Sequence, residues 1–217
     1  MDCITRLSKI VETSYEVVCQ KIANGSIDIF NEASLQLHLG AVLKSLGQLY
    51  EFSSSERFVI NLEKRIDGLG ETAKSRNVAR CDITIAFTSG NKILAQAFLE
   101  LKYFKASDDP KSAEATKDNR YGLFLDLENL ERYRTLSKGQ DTAPLCYEIA
   151  VAQNGTYANP NSRSGLNTGD GVMTDMSKDE HGFIPYASRK GVRIEGNYRF
   201  CWTTYRDNLH SLIVRLQ

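Results

Sequence analysis

Apolar side chains open the chain at helical spacing. Residues 2 to 23 set Ile4, Leu7, Ile10, Val11, Val17, Val18 and Ile22 close to one face, and Asn24-Gly25 supplies a stop, which predicts a long amphipathic helix. A second helix is expected from near Asp28 through Ile29, Phe30, Ala33, Leu35, Leu37, Leu39, Val42, Leu43 and Leu46 to Gly47, with Glu32 on its first turns. The period then changes to two. Between Glu56 and Ile66, Phe58, Ile60 and Leu62 alternate with Arg57, Asn61, Glu63 and Arg65, as in a half-buried strand in which Val59 is the exception. Asp67 to Asn77, rich in glycine and charge, reads as a loop.

Two further strands follow, Arg80 to Phe87 and Ile93 to Lys102, joined by the turn residues Thr88-Ser89-Gly90-Asn91. A polar crossover, Ala106 to Lys111, leads to a helix over Ser112 to Leu136. That helix carries a stripe of Leu123, Leu127, Leu130 and Tyr133, with an early weak point at Gly122. Leu145 to Ala152 is the strand that such a crossover requires, with Tyr147, Ile149 and Val151 alternating against Glu148 and Ala150. Residues 153 to 182 are polar and contain little apolar content, which predicts a long mobile loop or lid. The tail regains order, strand-like from Tyr198 to Tyr205 and apolar from Leu209 to Leu216.

Composition narrows the class without deciding the chemistry. A chain of 217 residues is long enough for one well-packed domain, and no repeat or linker divides it. The 27 basic and 27 acidic side chains balance, so any nucleic-acid surface must be local. Cys3, Cys19, Cys81, Cys146 and Cys201 are odd in number and lack the paired spacing of a zinc or redox motif, so they are expected to be small buried residues. Asp2, Arg6, Lys9 and Glu12 interrupt the first apolar segment, which reads as neither a signal peptide nor a membrane span. A reducing cytoplasm is the expected setting.

The chemistry concentrates in the central hairpin. With its centre near Gly90, opposing residue numbers sum to about 180, so Asp82 is expected to face Phe98 and Arg80 to face Glu100, leaving Asp82 and Glu100 as diagonal neighbours roughly 7 Å apart. Glu100 and Lys102 project to one side while Leu99 and Leu101 project to the other. Two carboxylates and an ammonium so placed suit a metal ion held against a phosphate. The same residues also admit a plainer reading, a solvated strand face with ordinary cross-strand ion pairs. Against that reading, Glu100 and Lys102 close a nearly continuous apolar run, where charges need a reason.

Glu32 on a helix, a strand, a strand with Asp82, a strand ending Glu100-Leu101-Lys102, a helix and a strand together resemble the core of the PD-(D/E)xK nuclease superfamily, which includes many restriction endonucleases. The resemblance covers roughly residues 28 to 152, with 153–217 as a C-terminal elaboration. Cys81 stands where the family name has proline. The resemblance implies an α/β fold with a central mixed sheet flanked by helices and a magnesium-dependent endonuclease, with manganese as a possible substitute. It implies that Asp82 and Glu100 bind metal, that the Leu101 carbonyl joins them, that Lys102 positions or activates the attacking water, and that Glu32 completes the set. Hydrolysis of a phosphodiester needs such a hard cation on oxygen ligands to neutralise the phosphate and lower the pKa of a bound water.

Lys105, Lys111, Lys117 and Arg120, then Arg132 and Arg134, are the basic residues expected to line a phosphate groove. Arg163, Lys178, Arg189, Lys190 and Arg193 are placed to fold over bound DNA, with RNA left open. A homodimer is suggested by the need to cut two strands and by the apolar face of the first helix. The alternative from another class is a non-catalytic nucleic-acid-binding or assembly module with the same fold. Other motifs are weaker. Gly68 to Ser75 imitates a phosphate-binding loop, but Ala73 replaces its glycine. His38, His181 and His210 lie at no spacing that supports a hydrolase triad.

Overall fold

A computed structural model of the chain describes residues 1–66, 71–72, 75–78, 80–105, 112–136, 143–161, 166–186, 189–206 and 208–216. Helix α1 (Cys3–Ala23) starts where the Asp2 carboxylate accepts the Thr5 N–H at 2.8 Å. It stops at Asn24, followed by Gly25 at φ 75°, a conformation that glycine adopts without steric cost. Helix α2 (Glu32–Leu49) begins four residues later than the apolar pattern suggests. Asn31 and Ser34 exchange side-chain and backbone hydrogen bonds in a capping box, and this fixes the first turn at Glu32.

Strand β1 (Glu56–Arg65) is followed by a short ladder of β2 (Glu71–Thr72) and β3 (Ser75–Val78), where a loop is expected from sequence. Strands β4 (Arg80–Ser89) and β5 (Lys92–Phe104) form the central hairpin. Helix α3 (Ser112–Leu136) and strand β6 (Leu145–Ala152) have the bounds that their patterns predict, and α3 runs unbroken through Gly122. Beyond them lie a hairpin of β7 (Phe183–Tyr186) with β8 (Arg189–Arg193), then β9 (Trp202–Arg206) and β10 (Leu209–Leu216). Six strands make one mixed sheet in the order β1-β4-β5-β6-β10-β9, in which β5 and β6 are parallel and α3 is the crossover between them.

The sheet separates two apolar clusters. On one side Leu7, Ile10, Val11, Leu35, Leu39 and Leu43 of α1 and α2 pack on Ile83, Ile85, Phe87, Leu99, Leu101 and Ile149. The apolar stripe of α1 is covered by this packing, so it is not the free dimer face that the sequence suggested. On the other side α3 packs Leu123, Leu127, Leu130 and Tyr133 with Phe98, Phe104, Cys146 and Ala150. No described helix is long and apolar enough to cross a membrane.

Residues 153 to 182 differ from the expected mobile loop. Their described part is packed, with Tyr157, Leu166 and Val172 in the α3 cluster and Thr168 and Thr174 fully buried. Polar groups tie this segment down. Thr168 Oγ1 donates to Tyr157 O at 2.9 Å, Trp202 Nε1 to Thr168 O at 2.7 Å, and the Glu131 carboxylate of α3 accepts from the N–H groups of Glu195 and Gly196 at 2.8 and 2.7 Å. Because hydrogen bonds replace periodic apolar contacts here, the pattern carries no signal. The cysteines also divide: Cys19, Cys81 and Cys146 are buried, Cys3 is half-buried and Cys201 is exposed. The crossover 106–111 with its Lys111, most of the phosphate-loop-like stretch from Gly68, and Arg163 lie outside the described residues.

The packed segment is testable at Gly169. A Cβ added there stands 2.3 Å from Pro160 Cα and 2.5 Å from Asn159 O, both backbone atoms that move only with the chain. Gly169→Ala is expected to lower the unfolding free energy in urea by about 1–3 kcal/mol, the scale of overpacking. A free lid would absorb the methyl group with no change.

Candidate active site

The hairpin register is the origin of the site. From Ile83↔Leu99 to Phe87↔Ala95 opposing numbers sum to 182, and a bulge between Phe87 and Thr88 separates these pairs from Thr88↔Ile93. Continued one step beyond the last pair, this register sets Asp82 across from Glu100, where the expected sum of 180 sets Phe98. The ladder ends before that step, and β4 parts from β5 at Asp82. Side chains replace the lost backbone pairing. Asp82 Oδ2 accepts the Leu101 N–H at 2.7 Å, and Gln36 Nε2 of α2 donates to Asp82 O at 2.7 Å and to Glu63 Oε1 at 3.1 Å. On the flanking strand, Glu63 lies at φ 51°, a left-handed conformation uncommon for a residue other than glycine.

Around this parting the fold gathers charges from five elements. Lys102 Nζ of β5 donates to Leu101 O at 3.0 Å, lies 3.3 Å from Glu32 Oε1 at the start of α2, and is in direct contact with Asp126 Oδ2 of α3. Glu100 Oε1 accepts from the Tyr133 hydroxyl of α3 at 2.8 Å. Glu148 of β6 is the register partner of Glu100. It is 0% exposed, and neither of its carboxylate oxygens has a hydrogen-bond partner among the described residues. The structure thus brings Asp82, Glu100, Leu101, Lys102 and Glu32 together and adds Asp126, Glu148 and Tyr133.

Sequence reading missed the two extra acids for identifiable reasons. Glu148 looks like the polar half of a half-buried strand, but β6 lies between β5 and β10 and is buried at every position. Its signal is an acid inside a strand that must be central. Asp126 follows Gly122 by one helical turn, on the side of α3 that faces the sheet, and a glycine paired with an acid at that spacing is its only local trace.

Electrostatics follow from burial and from the excess of acids. Burial pushes the Asp82 carboxyl up to about 6, although Lys102 and the Leu101 N–H pull it down. Burial and the neighbouring Asp126 raise Glu100 and Glu148 well above the usual carboxylate range. For Lys102, burial lowers the pKa, but Asp126, Glu32 and Glu148 outweigh it and the ammonium is held well above its ordinary value. The lysine is therefore a cation, and its acids exceed the charge it can balance.

Among the described residues no three Asp, Glu, His or Cys side chains are arranged to hold a metal ion. The cause is visible in the motif itself: Asp82 is turned onto the Leu101 N–H and Glu100 onto the Tyr133 hydroxyl. The donor chemistry nevertheless fits a hard divalent cation. Its groups are oxygens, their negative charge is in surplus, and the Glu148 oxygens are buried without partners.

The basic residues expected in a phosphate groove are placed differently from one another. Lys105 and Lys117 are exposed. Arg120 is buried, with Nη2 donating to Thr156 O at 2.6 Å, and Arg132 Nη2 meets Glu128 Oε1 one turn back at 3.0 Å. Lys178 Nζ is bound to Gly196 O and Asn197 Oδ1, both at 2.8 Å, and the Arg193 guanidinium lies 5.9 Å from the centre of the Phe183 ring. Compared with family models, curated proteins and solved structures, the chain matches none.

The raised carboxyl pKa values have a defined consequence for stability. A carboxyl whose pKa is higher folded than unfolded binds its proton more tightly in the folded state. Its stabilisation is complete below the unfolded value near 4 and is lost as pH rises, through about 6 for Asp82 and further up for Glu100 and Glu148. His210, whose pKa is lowered by burial, acts in the opposite sense below its ordinary value. In a chelator, Glu148→Gln is therefore expected to flatten the loss of unfolding free energy between pH 5 and 8 by up to about 1.4 kcal/mol per pH unit, the slope of one proton. The difference between variant and wild type cancels the His210 contribution. Parallel pH profiles would mean that Glu148 is ionised and compensated.

Proposed function

We propose that this chain is a metal-dependent endonuclease that hydrolyses DNA phosphodiesters on a restriction-endonuclease-like core. The observation that carries the reading is the parting of β4 from β5 at Asp82, which gathers Asp82, Glu100, the Leu101 carbonyl and Lys102 at one point beside the N-terminus of α2. The element order α2-β1-β4-β5-α3-β6, with its antiparallel meander and one parallel neighbour, supports the same reading.

Asp82 and Glu100 would hold magnesium, with Leu101 O and Glu32 as further oxygen donors. The cation would supply neutralisation of the phosphate and a bound water of lowered pKa. The protein's own share is positioning and charge. Rotation of Asp82 off the Leu101 N–H and of Glu100 off Tyr133 frees both carboxylates for ligation. Lys102 places a fixed positive charge beside the site of attack, where it stabilises charge that develops on the phosphate oxygens. Exposed Lys105, next to the end of β5, offers a contact to a flanking phosphate, and such contacts weaken as salt rises.

Purified protein is expected to cut plasmid DNA with magnesium or manganese and to leave it intact in EDTA. Asp82→Ala and Lys102→Ala should each lower the cleavage rate by at least about 100-fold, the scale set by loss of one preorganised charge. Absence of cutting on plasmid, single-stranded DNA and RNA, with the fold intact and no magnesium bound, would leave the non-catalytic binding module as the reading of this site.

A further inference from the structure

Lys102 has a flexible four-carbon stem and, in its setting, more acids than it can pair with. Asp82, Glu100, Glu148 and Glu32 all act on its charge. Left to itself the ammonium would sample several of them. In the structure it takes one position, hydrogen-bonded to Leu101 O and Glu32 Oε1 and ion-paired with Asp126 Oδ2. These partners are unequal. Leu101 O is the neighbouring backbone carbonyl, and the Glu32 side chain is 47% exposed at a helix terminus. Asp126 is 5% exposed and sits in the middle of α3, a helix packed from both sides.

We propose that Asp126 is the positioning residue for Lys102. Its carboxylate fixes the ammonium on the α3 side of the sheet and so keeps it from collapsing onto Asp82 and Glu100. Gly122, one turn earlier on α3, completes the cradle: a Cβ at that position would stand 3.4 Å from Lys102 Cε, so the absent side chain leaves the lysine stem its path. One helix thus provides the space for the stem and the partner for the charge, at i and i+4. Glu32, the exposed partner, is the contact free to release when it is needed as a ligand, while Asp126 retains the lysine.

The test separates this assignment from the nuclease reading on which its catalytic consequence rests. Lysine ammonium groups give 15N–1H signals in solution only where burial and hydrogen bonding slow exchange with water. In metal-free protein Lys102 is expected to give such a signal, identified by its absence in Lys102→Met. The signal should vanish in Asp126→Ala and persist, shifted, in Asp126→Glu. With magnesium and DNA, Asp126→Ala should lower kcat by about 10- to 100-fold, the scale of lost second-layer support, with KM for DNA unchanged, and Asp126→Glu should recover part of it. Circular dichroism checks the fold, and Asp126→Asn, which keeps the shape and loses the charge, replaces Asp126→Ala if the latter does not fold. An unchanged Lys102 signal in Asp126→Ala, or cleavage equal to wild type, overturns the proposal. A wild-type protein that cuts nothing overturns the nuclease reading instead, and the ammonium signal still decides the role of Asp126.

Discussion

One ammonium stands among five carboxylates where β4 leaves β5, and the rest of the structure is arranged around that imbalance. Lys102 is acted on by Asp82, Glu100, Asp126, Glu148 and Glu32, and most of these groups are removed from water. At an effective dielectric of about 20, two unit charges 4 Å apart interact by about 4 kcal/mol. A single repulsion of that size is comparable to the whole stability of a domain, about 5–15 kcal/mol. The acids cannot all remain charged on the strength of one lysine. The site must take up protons, as the raised carboxyl pKa values express, or it must take up a cation.

Helix α3 connects this electrostatic problem to the fold. Its inner face gives Gly122 and Asp126 to Lys102 and Tyr133 to Glu100, while Glu131 holds the backbone N–H groups of Glu195 and Gly196. Beyond β6, Tyr157, Leu166, Val172, Ile194 and Phe200 pack in one cluster with the apolar residues of the helix. Residues far from the hairpin in sequence therefore pack with the helix that carries Asp126 and Tyr133. Burial on both sides also explains why α3 tolerates Gly122: tertiary packing outweighs a helix propensity deficit of about 1 kcal/mol.

What the sequence made legible was whatever repeats locally. The bounds of α3 and β6, the positions of β4 and β5 and the stripe of Leu123, Leu127, Leu130 and Tyr133 all follow from period and turn chemistry. The grouping of Asp82 with Glu100 was legible too, but not their register. A hairpin turn fixes register to within a residue or two: the pairs nearest the turn already sum to 181, and the bulge between Phe87 and Thr88 adds one more, so the register points Asp82 at Glu100 and not at Phe98. Asp126 and Glu148 were not legible because their meaning lies in tertiary contacts across α3 and β6. Residues 153 to 182 were misread because Thr168, Thr174, Asn159 and Asn167 satisfy the backbone there through hydrogen bonds that leave no periodic trace.

Glu148 gives the strongest physical reason to treat this region as more than a structural charge cluster. Every other position of β6 is buried and suits a residue that packs, and an apolar side chain at 148 would remove both the desolvation of a carboxylate and its repulsion with Glu100. A surface ion pair needs no such explanation, because it contributes little either way. A carboxylate with two partnerless oxygens in the centre of a sheet is destabilising at neutral pH. Its raised pKa means that the folded chain holds a proton there, beside Asp82, Glu100 and Lys102, and a cation entering where β4 and β5 open could take that proton's place. Such an exchange of protons for a cation would favour a cation over neutral or anionic ligands, and Lys102, paired with Asp126 of α3, keeps one positive charge in place.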